Sequence, residues 1–401
     1  MKYDKKQLLD MVDSVFDEAV AFRRQLHMHP ELSEQETNTA RLIALELQDL
    51  GIPYESGVAG NGISAVIYGK DRTRGIGIRA DMDALPITEM VEIPFKSQNI
   101  GIMHACGHDI HTSILLGTAK ILTRLQDRLP GSVRLLFQPS EETIGGARQM
   151  IQAGCLENPK ITSILGLHVD TRIDVGSVEF IPGAMNAACC EFQVRVLGKS
   201  CHGAHPTDGI DALLPACTMI TSLQSILTRR MDPTDSVLIT VGKFNSGVKE
   251  NVISGEAVFS GTIRSLDMDA MSGIKTYLAE LCRSTAAAFG ASCEIEFSAN
   301  GYPTLENDDQ LLEWVMASSK EILGADHVKL TKKPSLGADD FSFFCHESRG
   351  LYYNIGCRRP GETDAYPIHS DRFDPDEECI RTGILTQVGA VLKIFEEEYG
   401  A

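Results

Sequence analysis

Residues 75–83 read GIGIRADMD, a short apolar run that ends on two aspartates, Asp81 and Asp83. It reads as a buried strand with acidic groups at its carboxyl end. Three other stretches have the same character: GISAVIYG (62–69), SVRLLFQPSEE (132–142) and ITSILGLHVD (161–170). Between them, SILLGTAKILTRL (113–125) and ARQMIQAG (147–154) carry helical patterns. Strands alternating with helices imply an α/β domain with a mostly parallel sheet. Upstream, residues 1–20 read as an amphipathic helix with Leu8, Leu9, Val12, Val15 and Phe16 on one face. Ser33 and Glu36 have the spacing of a capping box, which starts a helix running to Gly51.

The pattern changes near residue 184. CEFQVRVLG (190–198) is a strand, 211–230 a helix, and SVLITVGKF (236–244) and EAVFSGTIRSL (256–266) strands. Residues 269–290 form a helix and SCEIEFSA (292–299) a last strand. This βαββαβ order is ferredoxin-like. It begins and ends inside the chain, so it reads as an inserted domain over 184–297, of roughly 110 residues, a normal domain size. The first domain, 1–183, resumes over 298–401 and finishes with LYYNIG (351–356) and a helix over 382–400.

The bulk numbers narrow the function classes. The chain has 401 residues, is 43% hydrophobic and carries a net charge of −18. An acidic chain repels phosphate backbones, so nucleic acid is not an expected partner. No apolar run approaches the ~20 residues that span a bilayer, and the charged N-terminus lacks a signal peptide's apolar stretch, so no membrane association is expected. Eleven cysteines, odd in number and scattered, fit a reducing cytoplasm better than a disulfide framework.

In an open parallel sheet, ligands collect beyond the carboxyl ends of the strands. The run 76–80 leads to Asp81 and Asp83, 133–137 to Glu141 and Glu142, and 161–167 to His168 and Asp170. The run 352–356 leads, after a loop, to His369, and HACGHDIH (104–111) precedes a helix at the same rim. Together these supply thiolate, imidazole and carboxylate, a donor set suited to zinc, manganese or related divalent ions. Gly107 lets the chain turn sharply, so that Cys106 and His108 could both point inward. In an extended chain Glu141 and Glu142 face opposite sides, so that one could bind metal while the other acts as a base. Taken singly, each has a plainer reading. A Glu-Glu pair is usually a solvated surface, His168 a core histidine, and Cys106 a small buried hydrophobe. Convergence at the strand ends is what argues otherwise.

Several stretches resemble the dinuclear-metal aminoacylase and carboxypeptidase family. The match is to its amidohydrolase branch, with hippurate hydrolase, N-acetyl-diaminopimelate deacetylase and indole-acetyl-amino-acid hydrolases. They are RRQLHMHPELSEQE (23–36), IRADMDALPI (78–87), MHACGHDIHTSILLGTA (103–119), FQPSEETIGGARQMI (137–151) and GLHVD (166–170). GKSCHGAHP (198–206), GTIR (261–264), GADDF (337–341) and IHSDRFDPDEE (368–378) follow in order. The resemblance implies that Cys106, His108, Glu142, His168 and His369 ligate two divalent ions, zinc, manganese, nickel or cobalt. It implies Glu141 as general acid/base and Asp83 as a supporting aspartate. Asp81 stands where other branches carry a metal histidine, and His104 and His111 become supporting or structural residues. The inserted domain becomes a dimerisation and lid domain. His202 would reach a partner's site to stabilise the oxyanion, and Asn251 and Arg264 would bind the substrate carboxylate. Two departures bear on lid geometry: Lys199-Ser200-Cys201 where glycines usually precede the histidine, and Asp339-Asp340-Phe341 in place of Glu-Asp-Phe.

The reaction implied is metal-dependent hydrolysis of a small N-acyl amino acid in a cytoplasmic homodimer. A dipeptidase or carboxypeptidase of the same family is an alternative. So is an amidase with Cys106 as nucleophile, or a metal-dependent binding protein without catalysis.

Overall fold

The computed structural model describes residues 4–400. The first three residues of the N-terminal segment lie outside them. The chain divides into two compact units, one of residues 4–183, 306–333 and 340–400, the other of residues 184–305 and 334–339. The second unit therefore extends past residue 297 and takes in a short return segment.

The first unit is built on an eight-stranded sheet in the order Tyr54–Val58, Gly62–Ile67, Gly131–Gln138, Asp71–Asp81, Lys160–Asp174, Arg349–Arg358, Val178–Phe180, Val328–Leu330. The central four run parallel, and Gly62–Ile67 and Tyr54–Val58 continue the sheet antiparallel. Their central runs are mostly apolar and covered: all eight residues of Gly131–Gln138 are buried, as are Gly75–Asp81. Lys5–Met28 packs on His108–Arg124, and both pack on Glu378–Tyr399. The first helix buries Leu8, Val12, Val15, Ala19, Phe22 and Leu26, spaced three and four apart, with Leu9 and Phe16 partly covered beside them. His108–Arg124 is buried almost all round, its polar His108, Asp109, His111, Thr112, Ser113 and Thr118 included.

Register levels the strand ends. Asp81 pairs with Gln138 and Ile78 with Leu165, while His168 pairs with Asn354. The polar residues after each run consequently share one rim of the sheet.

The second unit has a four-stranded antiparallel sheet in the order Val237–Ser246, Glu256–Ser265, Ala188–Leu197, Ser292–Phe297. Helices Leu213–Arg229 and Met268–Ala288 lie between strands in the chain order β-α-β-β-α-β. Along Ala188–Leu197, Cys190, Phe192, Val194 and Val196 alternate inward onto Met219, Leu223, Ile274 and Leu278 of the helices.

Candidate metal centre

Cys106, Gly107 and His108 form the tight corner that opens the helix His108–Arg124. Gly107 sits at φ +86°, and a Cβ there would lie 2.5 Å from Val169 Cγ2, so both the backbone angle and the space require glycine. The corner turns Cys106 and His108 inward together. Cys106 Sγ lies 3.4 Å from His168 Nε2 and 3.3 Å from His369 Nε2. His369, also at positive φ (+64°), is held by its backbone N–H, which donates to Ala105 O at 2.8 Å. Its Nε2 lies 3.2 Å from Glu142 Oε1, and His108 Nε2 is 3.9 Å from the same oxygen.

These atoms fall into two groups whose donors all lie within 4.8 Å of one another: Cys106, His108, His168 and Cys106, Glu142, His369. The groups share Cys106. A third group joins Glu141 to His108 and Glu142 at the same spacing. The five residues implied as ligands therefore come together, with Glu141 beside them.

Neighbouring groups set which ring nitrogen faces the centre. His108 Nδ1–H donates to Asp83 Oδ1 at 3.1 Å, and His168 Nδ1–H donates to Val169 O at 2.7 Å. Both Nε2 atoms are left to point at the shared space. Asp83 is itself fixed by the Ser33 hydroxyl (2.7 Å) and the Glu142 backbone N–H (3.0 Å), both donating to Oδ2. His111 is spent on structure: its Nδ1–H donates to Asp81 Oδ1 at 2.6 Å and its Nε2 accepts from Val169 N–H at 3.0 Å. Asp81 is ion-paired to Arg79 at 2.6 Å, and Arg79 to Asp340 at 2.9 Å. Asp81 thus lies under the centre as a braced carboxylate.

The buried charges shape each other. Burial alone would raise the Asp81 pKa, but His108, Arg79 and His111 hold it well below the usual carboxylate range. Burial likewise opposes ionisation of His108, yet Asp81, Asp83 and Glu142 push its pKa up to about 10. His111 moves the other way, lowered to about 4 chiefly by burial. Burial, with Glu142 and Glu141 alongside, pushes the Cys106 thiol well above its usual value. That disfavours a free thiolate nucleophile, which needs a lowered pKa. A bound cation reverses the balance, because ligation requires and stabilises the deprotonated thiol and imidazole. One atom aimed into the space supports that fit: His108 Nε2 is buried without a hydrogen-bond partner.

Some local readings change. Glu141 and Glu142 lie in a turn, entered through Ser140 at φ +59°, rather than on an extended strand end. Ser33 and Glu36 form no capping box. The helix they precede, Thr37–Asp49, has its first N–H groups satisfied by Glu31, which accepts from Asn38 and Thr39 at 3.0 and 2.8 Å. Ser33 goes to Asp83 and Glu36 to Ser140, whose N–H it accepts at 2.8 Å. Both were legible only as helix-start residues, because the spacing of a capping box carries no information about a partner a hundred residues away. Asp170 pairs with Arg172 at 2.7 Å and stands outside the donor groups. His104 is buried with neither ring nitrogen hydrogen-bonded, and burial lowers its pKa to about 4.

The remaining candidates lie on the second unit. His202 is exposed, pairs in a two-residue ladder with Val252, and accepts Ala204 N–H at its Nδ1 (3.1 Å). Asn251 adjoins it, its carbonyl accepting Gly203 N–H at 2.8 Å. Arg264 stands near the far end of the strand Glu256–Ser265 and donates to Leu336 O at 2.9 Å. The eight residue steps from Glu256 to Arg264 are roughly 27 Å of extended chain.

Similarities to known proteins are extensive. A model of peptidase family M20/M25/M40 matches residues 77–393. The N-acyl-L-amino acid amidohydrolase of Geobacillus stearothermophilus is 38% identical over 306 residues, covering 76% of this chain and 82% of its own. Thermostable carboxypeptidase 1 of Saccharolobus solfataricus is 35% identical over 394 residues, covering 97% of this chain and 98% of its own. Among solved structures, the YXEP protein of Bacillus subtilis, a dinuclear metal binding peptidase from the M20 family, aligns with a TM-score of 0.82. It is 28% identical, and the alignment covers 96% of this chain and 99% of that one.

Proposed function

The chain belongs to peptidase family M20/M25/M40 and is a hydrolase of amide bonds, and we propose that it cleaves N-acyl amino acids with two divalent cations and Glu141 as general acid/base. The observation that carries this reading is the pair of donor groups sharing Cys106, with Glu141 within the same reach of His108 and Glu142. Cys106, His108 and His168 would hold one cation, and Cys106, Glu142 and His369 the other. Thiolate and imidazole donors suit zinc, and manganese, nickel or cobalt fit the same set. When bound, the cations supply Lewis-acid polarisation of the scissile carbonyl and lower the pKa of water from ~15.7 to about 7.

The chain's own residues do the rest. The Glu141 carboxylate takes the proton of the attacking water and delivers it to the leaving amine nitrogen. Asp83 keeps the His108 proton on Nδ1, so that Nε2 stays available as a donor. Arg264 and Asn251 offer charge and amide groups for the substrate carboxylate, and His202 a donor for the tetrahedral oxyanion.

The same reading includes a homodimer through the second unit. His202 and Asn251 sit at one end of that unit's fold and Arg264 at the other, so a single copy offers them at separate places. Its edge strand exposes Leu238 and Phe244, and its helix Leu213–Arg229 exposes Leu213 and Leu214, apolar surface that a second copy would cover. No helix among the described residues is long and apolar enough to cross a membrane. All eleven cysteines are unpaired, which fits the reducing cytoplasm.

The test is a panel of N-acetyl and N-benzoyl amino acids and dipeptides, assayed on apoenzyme refilled with one metal at a time. Hydrolysis of the acyl amino acids, abolished by chelation and restored by metal, is the expected result. Activity confined to dipeptides would redirect the reading to a peptidase. Activity that survives removal of metal would overturn it.

A further inference from the structure

Residues 31–36, ELSEQE, join the helices Lys5–Met28 and Thr37–Asp49 and belong to neither. The segment nevertheless ends in a carboxylate, Glu36, that is wholly buried. Such burial is costly unless each oxygen has work, and here each has. Glu36 Oε1 accepts the backbone N–H of Ser140 at 2.8 Å and lies 3.4 Å from its hydroxyl, while Oε2 accepts Asn61 Nδ2–H at 3.0 Å. Glu34 N–H donates to the Ser140 hydroxyl at 3.0 Å. Three residues before Glu36, the Ser33 hydroxyl fixes Asp83, whose same oxygen receives the Glu142 N–H. The segment therefore backs the turn on both sides of Glu141.

Ser140 is the residue this backing serves. It lies at φ +59°, the left-handed region that an L side chain disfavours, immediately before Glu141. Gly145 N–H closes the turn on Ser140 O at 3.0 Å. A non-glycine residue persists in this conformation only where its surroundings hold it, and the Glu36 carboxylate is the group that grips its N–H.

We propose that Glu36 is a positioning residue for the acid/base: by clamping Ser140 in the left-handed conformation it aims the Glu141 carboxylate at the shared space of the metal donors. This rests on the reading of Glu141 as acid/base, and the experiment separates the two. Glu36→Ala, Glu36→Gln, Ser140→Gly and the double variant Glu36→Ala/Ser140→Gly are compared in the metal-loaded enzyme. The readouts are kcat, KM, metal stoichiometry and amide hydrogen exchange over residues 139–146. Glu36→Ala should lower kcat roughly 10- to 100-fold, with KM and metal content unchanged and faster exchange in 139–146. Glu36→Gln should stay within a few-fold of wild type, since its amide oxygen still accepts the Ser140 N–H. Ser140→Gly alone should change little, and the double variant should regain most of the loss, because glycine adopts this φ without a clamp. If Glu36→Ala does not fold, Glu36→Asp, one methylene too short to reach Ser140, reads the same way. Wild-type kcat and exchange in a folded Glu36→Ala or Glu36→Asp would overturn the proposal, as would a loss that glycine at 140 does not repair. Full activity in Glu141→Gln would instead sink the acid/base reading, while the exchange comparison would still decide whether Glu36 holds the turn.

Discussion

The rim of the large sheet and the His202 loop of the second unit were both singled out as functional, yet they are built in opposite ways. At the rim, Cys106, His108 and Glu141 are buried, and His108 and His168 each have their Nδ1 hydrogen-bonded, so that the working nitrogen is preset. In the loop, His202 and Asn251 are exposed, His202 Nδ1 accepting from Ala204 N–H and Asn251 O from Gly203 N–H. The first region can be preorganised by one chain alone. On the proposed reading, the second offers its groups to a site completed by a second subunit.

The sharpest way to break that comparison is Glu141→Gln. General acid/base catalysis is worth about 10²–10⁴-fold, so kcat should fall by that order with metal content unchanged. Near-normal turnover would show that the rim lacks its base. Next in size is His202→Ala, expected to cost about 10²–10³-fold in kcat, the effect of removing an oxyanion donor. Mixing that variant with Glu141→Gln under subunit exchange should restore activity, since a mixed dimer pairs an intact Glu141 with a partner's intact His202. A mixture that stays inactive would argue that the loop does not act across subunits. A smaller effect separates the regions by binding alone: Asp83→Ala should weaken metal affinity about 10–100-fold, measured by titration of the apoenzyme, whereas His202→Ala should leave it unchanged.

The smallest effect lies away from both regions. Asp308 caps the helix Asp309–Leu323 through Leu311 N–H at 2.8 Å and pairs with Arg349 at 3.0 Å. Burial would raise its pKa, but Arg349 and the Leu311 N–H lower it below 3.8. A depressed carboxylate stabilises the fold above its unfolded pKa and loses that contribution as pH falls through the folded value. Asp308→Asn should therefore be less stable than wild type at neutral pH, with the gap closing below about pH 3.8. A gap that persists in acid would mean that packing, not charge, is lost.

Legibility followed the range of the interactions. The α/β alternation, the βαββαβ order and the need for glycine at 107 were readable because periodicity and backbone angle are local properties. Asp81, Asp83, Glu141, Glu142 and His168 were readable because each follows an apolar run, and a parallel sheet gathers such ends; Cys106 and His108 were readable from the helix that they open. Ser33 and Glu36 were misread for the converse reason. Their spacing satisfies a local rule, but Asp83 and Ser140 offered them better partners across the fold. The same holds for Glu141 and Glu142, where a positive φ at Ser140 turns a strand end into a corner that no pattern of apolar residues announces.

What the amino-acid order determined by itself is therefore which donor types exist and that they emerge at one edge: hydrophobic periodicity builds the sheet, and the sheet's parallel sense does the gathering. Only the tertiary structure decided the division of labour among them. Whether a histidine keeps a nitrogen open to the shared space, like His108, or spends both on neighbours, like His111, depends on which nitrogens a neighbour has already taken, and neighbours are set by packing rather than by sequence distance.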